Sequence, residues 1–221
     1  MRIRKWLILA LFLFLPPSVT VFAQHNLGFM SGLNFSDLDL SMHAASRTVF
    51  GFGGVYDFDF SENFTLHIEG LFLQKGGVID FPDPGPEVRL KSGFFELPIF
   101  LKTSFGDGIR PYFIFGPSFG MLLTSSIEAE IEGETFTAGI QGITSGLDLG
   151  FAAGIGVDYH FGDRKIFIQG RYTYSSNKMR IHGIAELRGG GTTEIISFSD
   201  EHYKNKGLQV LAGITFPINA R

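Results

Sequence analysis

His182, Glu194, Ser197, Ser199 and His202 are of the types that supply a nucleophile, a general base and an orienting acid. All five lie in one polar stretch, 176–205, and none sits in the Gly-x-Ser-x-Gly elbow that presents a hydrolase serine. A lipid-modifying hydrolase is therefore carried as an alternative with no catalytic residue assigned. Gly189, Gly190 and Gly191 lack the following Lys-Ser/Thr of a phosphate loop and read as a turn. Glu128, Glu130, Glu132 and Glu134 alternate along the chain. Alternate carboxylates could hold a divalent ion, but on an exposed strand they serve first to keep its edge soluble. No metal and no cofactor is expected.

A second set of charges stands singly inside apolar stretches: His67, Glu69, Glu96, Lys102, Asp158 and Arg171. Buried charges must be paired wherever they occur. These six read as a structural polar cluster, with Glu69 and Arg171 as the pair that reaches across an interior, Glu96 higher, and His67, Lys102 and Asp158 lower. The other use of such a set would be a narrow proton or ion path.

The elements that must position these residues show in the period of the apolar pattern. From Leu147 to Tyr159 every odd position is apolar or aromatic, while Asp148, Gly150, Ala152, Gly154, Gly156, Asp158 and His160 fill the even ones. That is strand alternation, not helical spacing. Seven more segments share it: 27–36, 48–60, 64–75, 93–104, 110–123, 165–175 and 206–217. The oily face carries Phe50, Phe52, Tyr56 and Phe58 in the second segment and Phe64, Leu66, Ile68 and Phe72 in the third. The opposite faces carry Asp57, His67, Glu69, Gln169, Arg171 and Gln209. Each segment meets the roughly 9–11 residues that a tilted strand needs to cross a bilayer.

Connections alternate in length. Short turns fall at 61–63, 106–108 and 162–163, and longer polar stretches at 37–47, 76–92, 124–146 and 176–205. An up-and-down barrel with both ends at one rim requires that order. The oily faces would be a large exposed patch in water, so hydrocarbon is their natural solvent. The rival arrangement, a soluble periplasmic carrier, would turn the aromatics inward around a ligand.

Residues 1–23 read as a cleaved export signal. Arg2, Arg4 and Lys5 precede an apolar run from Leu7 to Leu15 and a small-residue site at Val21-Phe22-Ala23, so the mature domain is 24–221. Without those three cations, 15 basic residues face 22 acidic ones, a net charge near −7. That balance excludes a phosphate-wrapping nucleic-acid binder. The absence of cysteine excludes disulfides, thiolate metal sites and a cysteine nucleophile.

Gly51 to Phe58, Glu69 to Lys75, Phe95 to Lys102, Arg110 to Pro117, Gly150 to Tyr159 and Gly207 to Phe216 together resemble the small outer-membrane β-barrel family, whose porin-like compact members are similar to the OmpX and OmpA membrane domains. The resemblance implies an eight-stranded antiparallel transmembrane β-barrel in the outer membrane of a Gram-negative cell. With no catalytic constellation in the sequence, a monomeric, non-enzymatic protein with a surface-binding or envelope-structural role through its extracellular loops is expected. The resemblance also implies contact with outer-membrane lipid and lipopolysaccharide, handling by the outer-membrane assembly machinery, and any extracellular protein partner at the loops. The chain departs from the family in one respect. Phe216 is followed by five further residues where such barrels commonly finish on an aromatic.

Overall fold

The computed structural model describes residues 24–39, 44–80, 87–131 and 133–218. The expected export signal, 1–23, lies outside the described residues. The strands are β1 (Gln24–Asp39), β2 (Ala44–Ala45), β3 (Arg47–Asp59), β4 (Phe64–Asp80), β5 (Glu87–Ser104), β6 (Ile109–Ile131), β7 (Glu134–Gly139), β8 (Leu147–Phe161), β9 (Arg164–Ser175), β10 (Met179–Gly189) and β11 (Thr192–Ile218). A 3₁₀ turn spans Gln141–Ile143.

Eight of these close a ring in the order β1, β3, β4, β5, β6, β8, β9, β11, with β11 pairing back onto β1 and every pairing antiparallel. Both ends of the ring's chain meet at one rim, where His25 stands opposite Ile218. The three tight turns lie at this rim, and Gly106, Gly108 and Gly162 take positive φ there, a conformation open to glycine at little cost. Two backbones approach so closely at Gly116 that a Cβ would strike the carbonyl oxygen of Ile99. The ladder between β5 and β6 is interrupted beside this point, between Pro98↔Ser118 and Leu101↔Phe115, where Pro98 and Pro117 lack a donor.

The faces are those of a membrane barrel. Phe29 and Phe151 are 70% and 64% exposed, which rules out an aromatic-filled carrier. Asn34, Asp57, Glu69, Gln209 and Thr215 point inward and are buried. The interior is less uniformly polar than the sequence pattern suggests. Met30, Val55, Leu71, Phe100, Ile114, Phe167 and Leu211 pack together inside the ring, between and beside the charged groups.

The long connections are largely strand. β4 runs on to Asp80, β5 starts at Glu87, β6 continues to Ile131 and β11 begins at Thr192. β7 pairs with the upper half of β6, β10 pairs with the upper half of β11, and the two hairpins meet at Arg188↔Thr137. They stand above the ends of β8 and β9 and form an upper storey with an apolar centre that includes Leu90, Phe94, Ile127, Phe136, Met179 and Leu187.

Two bulges make this storey possible. Inward positions on β6 are even up to Leu122 and odd from Ser125, because Gly93 pairs with Thr124 while Phe94 pairs with Leu122, leaving Leu123 as an extra residue. On β11 the extra residue is Asp200, at φ 129, between the pairs Ile181↔Glu201 and His182↔Ser199. A one-residue shift sends every following side chain to the other face. Below the β6 bulge apolar residues point out into lipid. Above it Ile127 and Ala129 point in while Glu130 is exposed.

Deleting Leu123 is expected to turn Ile127 and Ala129 outward and to loosen the upper storey while the ring below stays closed. Limited proteolysis should then cut between residues 124 and 146, with the unboiled protein retaining its fast gel mobility. Cleavage no faster than in the unaltered chain would refute the role given to the bulge.

Candidate functional site

The densest chemistry lies inside the ring. Strand alternation turns His67 and Glu69 on β4, Lys102 on β5, Asp158 on β8 and Lys165, Gln169 and Arg171 on β9 into the lumen, all of them buried. β4 and β9 face one another across the ring. Arg171 Nη1 donates to Glu69 Oε1 and Oε2 at 2.7 and 2.6 Å. Gln169 Nε2 donates to Glu69 Oε1 at 2.9 Å, and Arg171 Nε donates to Gln209 Oε1 at 2.7 Å. The Arg171 guanidinium also lies 5.0 Å from the centre of the Phe100 ring.

His67 links this pair to the charges nearer the rim. Its Nε2 is 2.9 Å from Glu69 Oε1, and its Nδ1 contacts Asp57 Oδ1. The ring thus bridges two carboxylates from neighbouring strands, Asp57 and Glu69. Asp57 also accepts from Lys165 Nζ at 2.6 Å. Lys102 Nζ lies 2.7 Å from Asp158 Oδ2 and 3.9 Å from the centre of the Tyr112 ring. Charge-assisted bonds of this kind are short and strong when desolvated.

Glu96 belongs to a separate layer higher up. It accepts from Lys75 Nζ at 3.0 Å and from Ser118 Oγ at 2.7 Å. Lys75 also donates to Asp148 at 3.0 Å, and Asn205 Nδ2 donates to the same Asp148 oxygen at 3.0 Å. The six charges singled out in the sequence therefore divide. His67, Glu69 and Arg171 are directly connected, Lys102 and Asp158 pair beneath them, and Glu96 stands apart with partners that sequence reasoning did not group with it. Lys75 and Asp148 share the inward parity of Glu69 and Asp158, so alternation could have found them. Their common height could not be read from one chain.

At the lower rim a cavity of about 530 Å³ opens between Asp59, Glu62, Asp107, Arg110, His160 and Lys165. It ends at the Asp158 and Lys165 layer. At the other end the apolar centre of the upper storey covers the Lys75 layer. The hydrolase candidates are on the outer hairpin, where His182 stands opposite Ser199 and His202 opposite Arg180. Among the described residues no serine hydroxyl bonds to a histidine ring. The triple glycine is the turn between β10 and β11, with Gly190 and Gly191 at φ 54 and 77.

A closed eight-stranded antiparallel ring with an apolar outside and a packed, charge-paired inside is a membrane-spanning β-barrel. The sequence matches the family model described as outer membrane protein beta-barrel domain over residues 22–179, and the chain belongs to that family of outer-membrane proteins. Among solved structures, OprG of Pseudomonas aeruginosa is similar at 10% identity and a TM-score of 0.51, over 90% of this chain and 98% of that one. Neisserial surface protein A is similar at 10% identity and a TM-score of 0.43, over 87% and 96%. Ail of Yersinia pestis is similar at 13% identity and a TM-score of 0.41, over 87% and 99%. At such identities the likeness is one of fold. No curated protein sequence matches the chain.

Arg171→Met is expected to leave the buried Glu69 carboxylate without its main counter-charge and to destabilise the barrel by about 3–5 kcal/mol. Replacing Glu69 by Met as well should recover part of that loss. Urea unfolding in lipid vesicles measures both. Equal stability of Arg171→Met and the unaltered chain would refute the pair's structural weight.

Proposed function

We propose that this chain is a non-enzymatic outer-membrane barrel whose lumen is a structural plug and whose upper storey is a recognition platform outside the cell. Residues 1–23 serve as the cleaved signal and 24–221 as the monomeric barrel. The assembly machinery inserts it, and the apolar band contacts outer-membrane lipid and lipopolysaccharide. His67, Glu69, Glu96, Lys102, Asp158 and Arg171 hold the plug and carry no catalytic role.

The observation that supports this reading best is the ordered storey itself. Two parity-switching bulges and an apolar centre of its own hold β7 and β10 well above the band that lipid covers. Mobile connections would need none of this. On the outer side Ile184 and Ile195 stand free on adjacent strands, 67% and 73% exposed. Apolar groups of this size on the outward face of the hairpin, among the exposed Arg180, His182, Glu186 and Arg188, fit contact with a protein surface. An eight-stranded lumen is also too narrow for an open pore when side chains fill it.

Photo-cross-linking in intact cells separates platform from plain anchor. A photoreactive residue at Ile195 is expected to yield adducts with another protein, and one at Phe151 only with lipid. If position 195 gives no protein adduct, the platform is refuted and an envelope-structural role remains. In planar bilayers the purified barrel is expected to give no discrete conductance steps, and regular steps would refute the plug.

A further inference from the structure

The charges in the lower lumen balance. Each buried carboxylate there has a cation of its own, Asp57 with Lys165, Glu69 with Arg171 and Asp158 with Lys102, and the His67 ring bridges Asp57 and Glu69. The Lys75 layer does not balance, for its single ammonium stands between two carboxylates, Glu96 and Asp148, each 3% exposed. The neighbours above, Leu90, Phe94 and Leu122, and the nearest below, Leu71 and Ile114, carry no charge, and the Arg47 guanidinium near Gly76 is held at the Leu90 carbonyl oxygen, 2.9 Å away, and forms no ion pair with either carboxylate among the described residues. One negative charge is therefore left in a site withdrawn from water, where an uncompensated ion is costly.

The unused atoms lie in the same layer. Glu96 Oε2, Asp148 Oδ1 and Asn205 Oδ1 are buried and have no hydrogen-bond partner among the described residues. A cavity of about 10 Å³ lies against Lys75, Glu96, Ser118, Asp148, Thr173 and Ser175. That is room for one particle about the size of a water molecule.

We propose that this cavity binds a single desolvated sodium ion, held by Glu96 Oε2 and Asp148 Oδ1 and by the hydroxyl oxygens around them. The donor set is all oxygen, which suits a hard cation. One positive charge closes the balance with Lys75, whereas a divalent ion would overshoot it. A water molecule could satisfy the two oxygens as a donor but would leave the charge. A proton shared directly between the carboxylates would neutralise the charge but would have no use for a cavity between them.

The test uses the full mature chain refolded into phosphatidylcholine vesicles, with the thermal unfolding midpoint read by the gel-mobility shift. Sodium chloride replaces N-methyl-D-glucamine chloride at constant ionic strength, at pH 8. The unaltered chain is expected to gain about 5 °C in a saturating manner, the scale of a ligand bound to the folded state alone. Glu96→Gln makes the layer neutral and is expected to abolish the sodium dependence, and Asp148→Asn serves the same purpose should the first variant not fold. Glu128→Gln, on the surface, is expected to retain it. A midpoint indifferent to sodium overturns the proposal. So does a midpoint that rises only as pH falls from 8 to 5, which assigns the missing charge to a shared proton. Sodium dependence that survives in both Glu96→Gln and Asp148→Asn overturns it too, by placing the ion elsewhere.

Discussion

Hydrocarbon offers a backbone no hydrogen-bond partner, and the closed ring of this protein follows from that constraint. Closure pairs β11 with β1 and leaves no edge within the band. Eight strands then enclose a lumen only as wide as its side chains. The outward face is already taken by the residues that lipid tolerates, so the polar residues of each strand share the inside. There they are buried among one another, and they are stable only as pairs.

The lower lumen is accordingly a stack of paired charges with apolar packing between them. Glu69 and Arg171 meet from opposite walls, and His67 ties them to Asp57 and Lys165. Phe100, Phe167 and Tyr112 fill the remaining space and shield the cations. Such a stack joins strands that are not neighbours in the ring, so it fixes the cross-section of the barrel as hydrogen bonds between adjacent strands cannot.

Above the lipid the solvent changes, and the protein changes with it. A strand that faced water with the parity it used in the membrane would expose Ile127 and bury Glu128 and Glu130. The extra residues at Leu123 and Asp200 exchange the two faces at that boundary. One continuous strand thus serves as lipid-facing wall below and as the wall of an ordinary apolar core above.

Strand identity, strand faces and the alternation of short and long connections were legible in the sequence, because period-two patterning is a local property enforced by the solvent on each side. Leu147 to Phe161 needs no neighbour to declare its oily face. The upper extensions were less legible, since a bulge breaks the parity on which that reading depends, and the stretch 76–92 looked only polar. The tertiary structure alone decided which inward charges share a height. Glu96 is paired with Lys75 and Asp148 instead of with the Glu69 group because register and strand stagger set the heights. Those are fixed by hydrogen bonds between chains of residues far apart in sequence, and no single strand carries them.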